Sequence, residues 1–248
     1  MIIVIPMAGF SRRFVDAGYS KPKYMLEAGG VSLFRHAVQS FRKYFDTAFF
    51  VFVHRDTCDT GVFINNECSD MGIKKFLCVE LDDGTRGQAE TVAIGLERSG
   101  VSNSDDSLII FNIDTVRPGY RLPEAEKCGD AYLEVFRGEG DGWSFVRPMT
   151  SAENVVAETT EKVRVSDLCS TGVYYFKRAD YFMYAFKIEL ESGPSFSNEY
   201  YVAPLYNHLI RIGIDVRYFT IDASEVIFSG VPAEYESFRS LCAKSLSC

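Results

Sequence analysis

Four cations stand close together near the start of this chain: Arg12 and Arg13 in PMAGFSRRF (6–14), then Lys21 and Lys23 in SKPKY (20–24). The protein carries a net charge of −8, so a basic stretch this short calls for a local anion. Gly9 follows an apolar run, and a glycine there lets a ligand approach the backbone closely. Successive N–H groups in such a turn form an anion-binding concavity. The arginines add fork-shaped donors that match phosphate oxygens. Pro22 stiffens the segment that presents Lys21 and Lys23. A second group is FNID (111–114), where an apolar run exits on a carboxylate. Asp114 placed there, facing phosphates, suits Mg²⁺, which takes one or two carboxylates with phosphate oxygens and water. A solvated basic loop and a turn-forming Asp are the plain alternatives. Their joint occurrence favours a polyphosphate site.

Those residues need elements to hold them. MIIVIP reads as a buried first strand, since a continuous apolar run bounded by Pro and Gly suits a central parallel strand. The spacing predicts a helix over 31–45, a strand over 47–54, a helix over 57–72 and a strand over 75–81. A helix over 87–100 stops at glycine, and a fourth strand over 106–114 ends at Asp114. This alternation predicts a doubly wound α/β sheet with right-handed crossovers. Ligands in such sheets bind at the carboxyl ends of the strands. PMAGFSRR, GTRGQ and FNID all emerge at that edge. The second half reads as short strands over 130–138, 143–148, 154–159 and 170–177, helices over 179–190 and 199–212, late strands over 215–220 and 225–229, and a helix over 233–246. With no linker, repeat or low-complexity tract, a single domain over 1–248 is expected: a nucleotide-binding half to about 114 and an acceptor-binding half from about 115.

Composition narrows the partners. The acidic balance argues against a basic nucleic-acid-binding face. MIIVI is too short to span a membrane or serve as a signal core, so no membrane partner and a cytoplasmic location are expected. The seven cysteines, Cys58, Cys68, Cys78, Cys128, Cys169, Cys242 and Cys248, include no C-x-x-C pair and read as reduced thiols rather than a zinc site. His36 and His208 read as ordinary helix residues. His54 ends a strand on the active edge, within reach of a nucleotide. A homo-oligomer is left open.

PMAGFSRRF with SKPKYML resembles the signature of the sugar-phosphate nucleotidyltransferases, the nucleoside-diphosphate-sugar pyrophosphorylases. GQAETVAIGL resembles the family's base-binding loop and helix, and FNID its metal-aspartate strand. WSFVRP, TTEKVRVSD and STGVYYF follow in the family's usual order, as do NEYYVAPLYNHLI and SGVPAEYESF. The resemblance spans residues 1 to about 240 and comes nearest to short members from capsule loci, including CTP:phosphoglutamine cytidylyltransferases. It implies a single-domain Rossmann-like (GT-A-type) fold with a mixed, mostly parallel sheet flanked by helices. It also implies a reaction, in which a nucleoside triphosphate and a small phosphorylated acceptor give a nucleoside-diphosphate-linked product and pyrophosphate. By resemblance, Arg12 or Arg13 grips the β- and γ-phosphates, Lys23 neutralises the α-phosphate and Asp114 holds Mg²⁺. Met7, Ala8, Gly9 and Ser11 line the nucleotide with Arg12. Gly87 and Gln88 meet the base, Gly87 giving it room on the backbone. Lys162 binds the acceptor's phosphate, Glu161 its polar groups, Gly172 allows close packing beneath it, and Asn198 and Glu199 line the same pocket. Trp143 frames it.

Four positions depart from the family pattern. Ser11 stands where a second glycine is usual, Tyr24 where proline is common, and Val231 where threonine is. Phe228 stands where many members carry Asp as a second metal ligand; Asp222 is the nearest substitute in sequence. CTP is favoured for a capsular or surface polysaccharide precursor. A uridylyl- or thymidylyltransferase acting on a sugar-1-phosphate, and a non-catalytic nucleotide-binding paralogue, are the alternatives. A glycosyltransferase would show a D-x-D pair, which Asp105-Asp106-Ser107 does not supply.

Overall fold

The computed structural model describes residues 1–194 and 196–245. In chain order its elements are β1 (Ile2–Pro6), α1 (Arg12–Asp16), β2 (Glu27–Ala28), β3 (Val31–Ser32), α2 (Leu33–Val38), β4 (Phe49–Arg55), α3 (Thr60–Met71), β5 (Phe76–Leu81), α4 (Gln88–Arg98), β6 (Leu108–Phe111) and β7 (Thr115–Val116). The second half adds α5 (Ala125–Cys128), β8 (Ala131–Arg137), β9 (Ser144–Pro148), β10 (Val156–Glu161), β11 (Leu168–Phe176), α6 (Ala179–Ser192), α7 (Tyr206–Arg211), β12 (Val216–Ile221), β13 (Ile227–Phe228) and α8 (Pro232–Ser245).

One sheet runs through both halves, in the order β10-β9-β11-β6-β1-β4-β5, with β8 against β11 and β12 against β8. The strands β6, β1, β4 and β5 pair in parallel. The pairings put β8, β9 and β12 in that same direction and only β10 and β11 against it. Burial explains the parallel core. Val4, Val51 and Val53 face α4 and α6, packing with Val92, Leu96 and Phe182. Ile3, Ile5, Phe50 and Phe52 face α2 and α3, packing with Phe34, Phe41 and Ile64. Both faces are covered, which explains the continuous apolar runs Ile2–Ile5 of β1 and Phe49–Val53 of β4. Helix α4 lies so close that a Cβ on Gly95 would stand 2.4 Å from a Val53 methyl.

Topology then locates a crevice. From β1 the chain steps outward to β4 and β5, and α4 carries it back to β6 on the other side of β1. Strand order reverses between β1 and β6. Ligands in open α/β sheets bind outside the carboxyl ends of the strands at such a point. The loop 7–11 leaves β1 there and the turn 112–114 leaves β6.

Several elements differ from their sequence reading. The helix expected over 31–45 is α2 followed by a 3₁₀ turn over Gln39–Tyr44, with Phe41 at φ −100 and ψ 19. That break seats the Phe41 ring 4.8 Å from Phe111 and 4.9 Å from Tyr120. The fourth strand ends at Phe111, not at Asp114, because Thr115 N–H turns back to the Asn112 carbonyl at 3.1 Å. The helix expected over 199–212 is confined to α7, after a 3₁₀ turn over Ala203–Leu205 that contains Pro204. His54 is buried rather than presented to the edge, its ring beside Gly61 of α3. The expected end of the last helix at Leu246, and Cys248, lie outside the described residues. Among the described residues the six cysteines are free and no helix is long and apolar enough to cross a membrane.

Candidate active site

Lys23 and Asp114, ninety-one residues apart in sequence, meet at the crevice. Lys23 Nζ donates to Asp114 Oδ2 at 2.5 Å, with both side chains partly exposed. Burial opposes charge on Asp114, but the Lys23 ammonium, with Arg13 at longer range, holds its pKa below the usual value. The carboxylate is therefore ionised at neutral pH. Its loop is pinned from behind, since Ser229 N–H and Oγ both donate to the Asp114 carbonyl, at 2.8 and 3.1 Å. Deeper still, Arg117 Nε donates to the buried Glu134 at 3.0 Å, and Thr171 Oγ1 donates to the same carboxylate oxygen at 3.1 Å. Arg117 directly follows β7, so this buried ion pair fixes the strand leaving Asp114.

The first loop meets the crevice with its cations outward. Met7 and Ala8 are buried, Met7 N–H continuing the ladder to the Val53 carbonyl at 2.8 Å, so they offer a ligand backbone rather than side chain. Gly9, Arg12, Arg13 and Lys21 are exposed. Ser11 takes φ 50 and ψ 31. That left-handed conformation is one a glycine takes freely, and it costs a serine roughly 1–2 kcal/mol. Arg55 was missed in the sequence. Its guanidinium lies 4.0 Å from the centre of the Phe10 ring, and its Nε donates to the Ala8 carbonyl at 2.8 Å. A lone arginine closing VFVHR on the carboxyl edge was the available signal. The Phe10 ring also lies where a Cβ on Gly84 would stand, 2.6 Å away, so it ties the first loop to the 82–87 loop.

Gly87 has φ +128, and a Cβ on it would strike the Tyr200 backbone at 2.6 Å. Tyr200 N–H donates to the Arg86 carbonyl at 2.7 Å and Ala89 N–H to the Tyr200 carbonyl at 2.8 Å. The missing side chain at Gly87 thus admits this strand of backbone. Gln88 Nε2 donates to Asn112 Oδ1. Asn112 N–H in turn donates to the Gly172 carbonyl at 3.1 Å. Gly172 has φ +89, and a Cβ on it would lie 2.6 Å from Asn112 Nδ2. So Gly172 makes room for Asn112, and Asn112 holds Gln88. The sequence reading of FNID rests on its aspartate and does not single out Asn112.

The residues expected to bind the acceptor lie at the β10 edge. Lys162 has φ 54. Its N–H donates to the Trp143 carbonyl at 2.9 Å, and Thr160 Oγ1 donates to the Val163 carbonyl at 2.6 Å, which hold that turn. Lys162 Nζ donates to Tyr201 Oη at 2.8 Å and lies 4.6 Å from the Tyr201 ring centre and 5.4 Å from that of Phe196. Tyr201 Oη donates to Glu199 Oε2 at 2.5 Å. Glu161 is buried beside Lys162 and accepts from Ser144 Oγ. Burial pushes its pKa up, against the pull of Ser144 and Lys162. Asn198 is exposed, in a left-handed pair with Ser197 at φ 58 and 49. Residues in such backbone regions persist where surroundings over-determine them, often at functional sites. Tyr174 is pushed up to about 12, chiefly by burial.

Among the described residues no group of three or more His, Cys, Asp or Glu side chains is gathered to hold a metal. Phe228 lies beside the turn, paired with Thr115 across β13 and β7, but its ring packs 4.8 Å from Trp143 and 5.3 Å from Phe136. Asp222 is engaged in its own turn. Its Oδ1 accepts from Ser224 N–H at 2.8 Å and Ser224 Oγ at 2.6 Å, in a capping box. Asp114 fits Mg²⁺ as one carboxylate of a set completed by phosphate oxygens and water.

No protein-family model and no curated protein matches the sequence. Solved structures do. The nucleoside-diphosphate-sugar pyrophosphorylase from Vibrio cholerae RC9 is 48% identical, with 96% of this chain and 99% of that one aligned at a TM-score of 0.90. The inositol-1-phosphate CTP transferase from T. maritima shares the fold at 18% identity, over 97% and 95% of the two chains, with a TM-score of 0.70. A UDP-glucose pyrophosphorylase complexed with UDP-glucose shares it at 14% identity, over 98% of each chain, with a TM-score of 0.73. At 48% identity over almost the whole of both chains, the protein belongs to the nucleoside-diphosphate-sugar pyrophosphorylase family and is a nucleotidyltransferase.

Proposed function

We propose that the protein joins a nucleoside triphosphate, CTP for preference, to a small phosphate monoester and releases pyrophosphate, assisted by Mg²⁺. The observation that carries this reading is the Lys23–Asp114 contact at the β1–β6 switch point, with Arg13 acting on the same carboxylate. An oxygen of the acceptor's phosphate attacks the α-phosphorus, and the bond to the bridging oxygen of the β-phosphate breaks. Little covalent work falls to the protein, so positioning and charge neutralisation carry the rate. Arg12 or Arg13 grips the leaving phosphates, and Lys23 meets charge building on the α-phosphate. Gln88, held by Asn112, meets the base. Lys162 binds the acceptor's phosphate, with Glu161, Glu199 and Asn198 beside it. Mg²⁺ held by Asp114 would order the phosphate oxygens and offset their charge. The product is a precursor for capsular or surface polysaccharide, made in the cytoplasm.

A second acceptor reading has its own support. The Vibrio cholerae relative is described as acting on nucleoside-diphosphate sugars. A sugar-1-phosphate acceptor with UTP or dTTP is therefore the competing pair. The test is pyrophosphate release over a matrix of CTP, UTP, dTTP, GTP and ATP against sugar-1-phosphates and small phosphorylated amines and amides. One productive pair, lost in Asp114→Asn, establishes both substrates. Silence across the matrix, with nucleotides still raising Tm, favours a binding paralogue.

A further inference from the structure

The main sheet closes two of its margins from within the chain. On β10, Thr159 N–H donates to Asn207 Oδ1 at 2.9 Å and Asn207 Nδ2 donates to the Thr159 carbonyl at 2.8 Å. On β12, Tyr218 N–H donates to the Asn154 carbonyl at 3.0 Å, beside an antiparallel bridge between Val155 and Arg217. The margin at β5 is different, since β5 pairs only with β4. Phe50 N–H donates to the Lys75 carbonyl at 3.0 Å, which fixes the alternation. Odd-numbered residues of β5 bond to β4, and the N–H and C=O groups of Phe76, Cys78 and Glu80 face outward. Of these groups the Glu80 carbonyl accepts from Arg98 Nη1 at 2.6 Å. Leu77, on the same strand, is 37% exposed.

Charge flanks this open edge in an ordered way, KKFLCVELDD over 74–83. Lys74, Lys75, Asp82 and Asp83 are exposed, and among the described residues none of the four makes an ion pair. We propose that β5 is a self-recognition edge, at which two copies of this chain pair antiparallel about a two-fold axis and join their sheets into one. A second copy laid parallel would set lysine on lysine and aspartate on aspartate. Laid antiparallel, it sets each lysine pair on an aspartate pair. Outward groups must face each other, so Phe76, Cys78 and Glu80 meet even-numbered residues of the second copy. With Cys78 on the axis, Lys74 stands opposite Asp82 of the second copy, Lys75 lies diagonal to its Asp83, and Leu77 comes beside its Val79. The facing groups then make about six backbone hydrogen bonds. A carbonyl has two lone pairs, so Arg98 can keep its bond to Glu80. Lysines beside an edge also discourage foreign strands, and the opposite charge at the far end makes that discouragement selective. A pairing of this isologous kind closes, so it stops at a dimer.

Sedimentation velocity of the full-length protein should show a dimer with a Kd tighter than about 100 μM, weakened by added salt. Hydrogen exchange at the Phe76, Cys78 and Glu80 amides should slow as protein concentration rises. The sharpest test reverses one charged end at a time. Lys74→Glu with Lys75→Glu sets like charges together in the self-pair, and so does Asp82→Lys with Asp83→Lys. Each double variant should dimerise at least about tenfold more weakly than wild type. Mixed, the two should form a heterodimer, because each end of one then meets opposite charge on the other. Circular dichroism checks that both are folded, as expected for exposed side chains. Cys78→Pro removes an outward N–H that β4 does not use, and should also weaken the dimer. Wild type that stays monomeric throughout that concentration range overturns the proposal. A dimer that survives both charge reversals, with the three amides still exchanging freely, overturns it in favour of another face. Reversed variants that fail to associate when mixed overturn the antiparallel pairing.

Discussion

The two halves of the crevice are built to different standards. Around Asp114, every support comes from the interior: β1 and β6 are buried on both faces, β7 is fixed by the Arg117–Glu134 pair, and Ser229 holds the loop from behind. Around Lys162, support comes from an edge. The residue sits past the end of β10, the outermost strand of the sheet path, and its ammonium is held by side chains of the partly exposed 196–201 segment. Rigid placement is needed where charge develops during bond exchange. An edge hairpin and a loop can change with little cost to the core. If the proposed roles hold, reaction type belongs to the switch point and acceptor choice to the edge.

The largest effect should come from the interior side. Asp114→Asn should lower metal-dependent turnover at least about a thousandfold, about 4 kcal/mol at the transition state. Circular dichroism and Tm should change little, because the side chain is partly exposed. Near-normal turnover would remove Asp114 from the reaction and erase the contrast between the halves. Next, Lys23→Ala should cost about a hundredfold in kcat, on the order of 3 kcal/mol. A loss below about threefold would contradict a role at the α-phosphate.

Gly172→Ala asks whether the interior standard extends to the base. Its Cβ would press on Asn112, which holds Gln88. The nucleotide's KM should rise about tenfold, and Asn112→Ala should do the same. Combining them should add little, since neighbours sharing one contact are not additive. Full additivity would break the link. On the edge side, Lys162→Ala should raise the acceptor's KM by about tenfold and leave the nucleotide's KM within about twofold. A change confined to the nucleotide would move Lys162 into the other half.

What could be read from the sequence follows the same division. The parallel core was legible because its strands must be apolar on both faces, and IIVI and FFVFV show that directly. The placement of the first-loop cations and Asp114 at one crevice was legible because they cluster at strand ends. Asn112 was not, since its significance depends on Gly172, distant in sequence, lacking a Cβ. Nor was the break at Phe41, where a ring seats against Phe111 and Tyr120 and overrides a good helical period. Arg55 supports the first loop from β4, a contact that no spacing within the loop could show.

The smallest expected effect concerns Ser11, which the family pattern would make glycine. Its φ of 50 strains a serine, and its carbonyl accepts from Phe14 and Val15 N–H at 2.9 and 3.1 Å to start α1. No side-chain hydrogen bond caps that helix. If the loop meets phosphates through backbone N–H groups, the hydroxyl is dispensable. Ser11→Gly should then relieve roughly 1 kcal/mol of strain, partly offset by the freer unfolded chain. Thermal denaturation should show an unchanged or slightly higher Tm, and kcat/KM should stay within about threefold. Ser11→Ala separates the two causes. It keeps the strain and loses the hydroxyl, so it should match wild type in nucleotide KM while gaining no stability. A parallel rise of nucleotide KM in both variants would instead make the hydroxyl a phosphate ligand, and the interior half would then owe part of its grip to the Ser11 side chain.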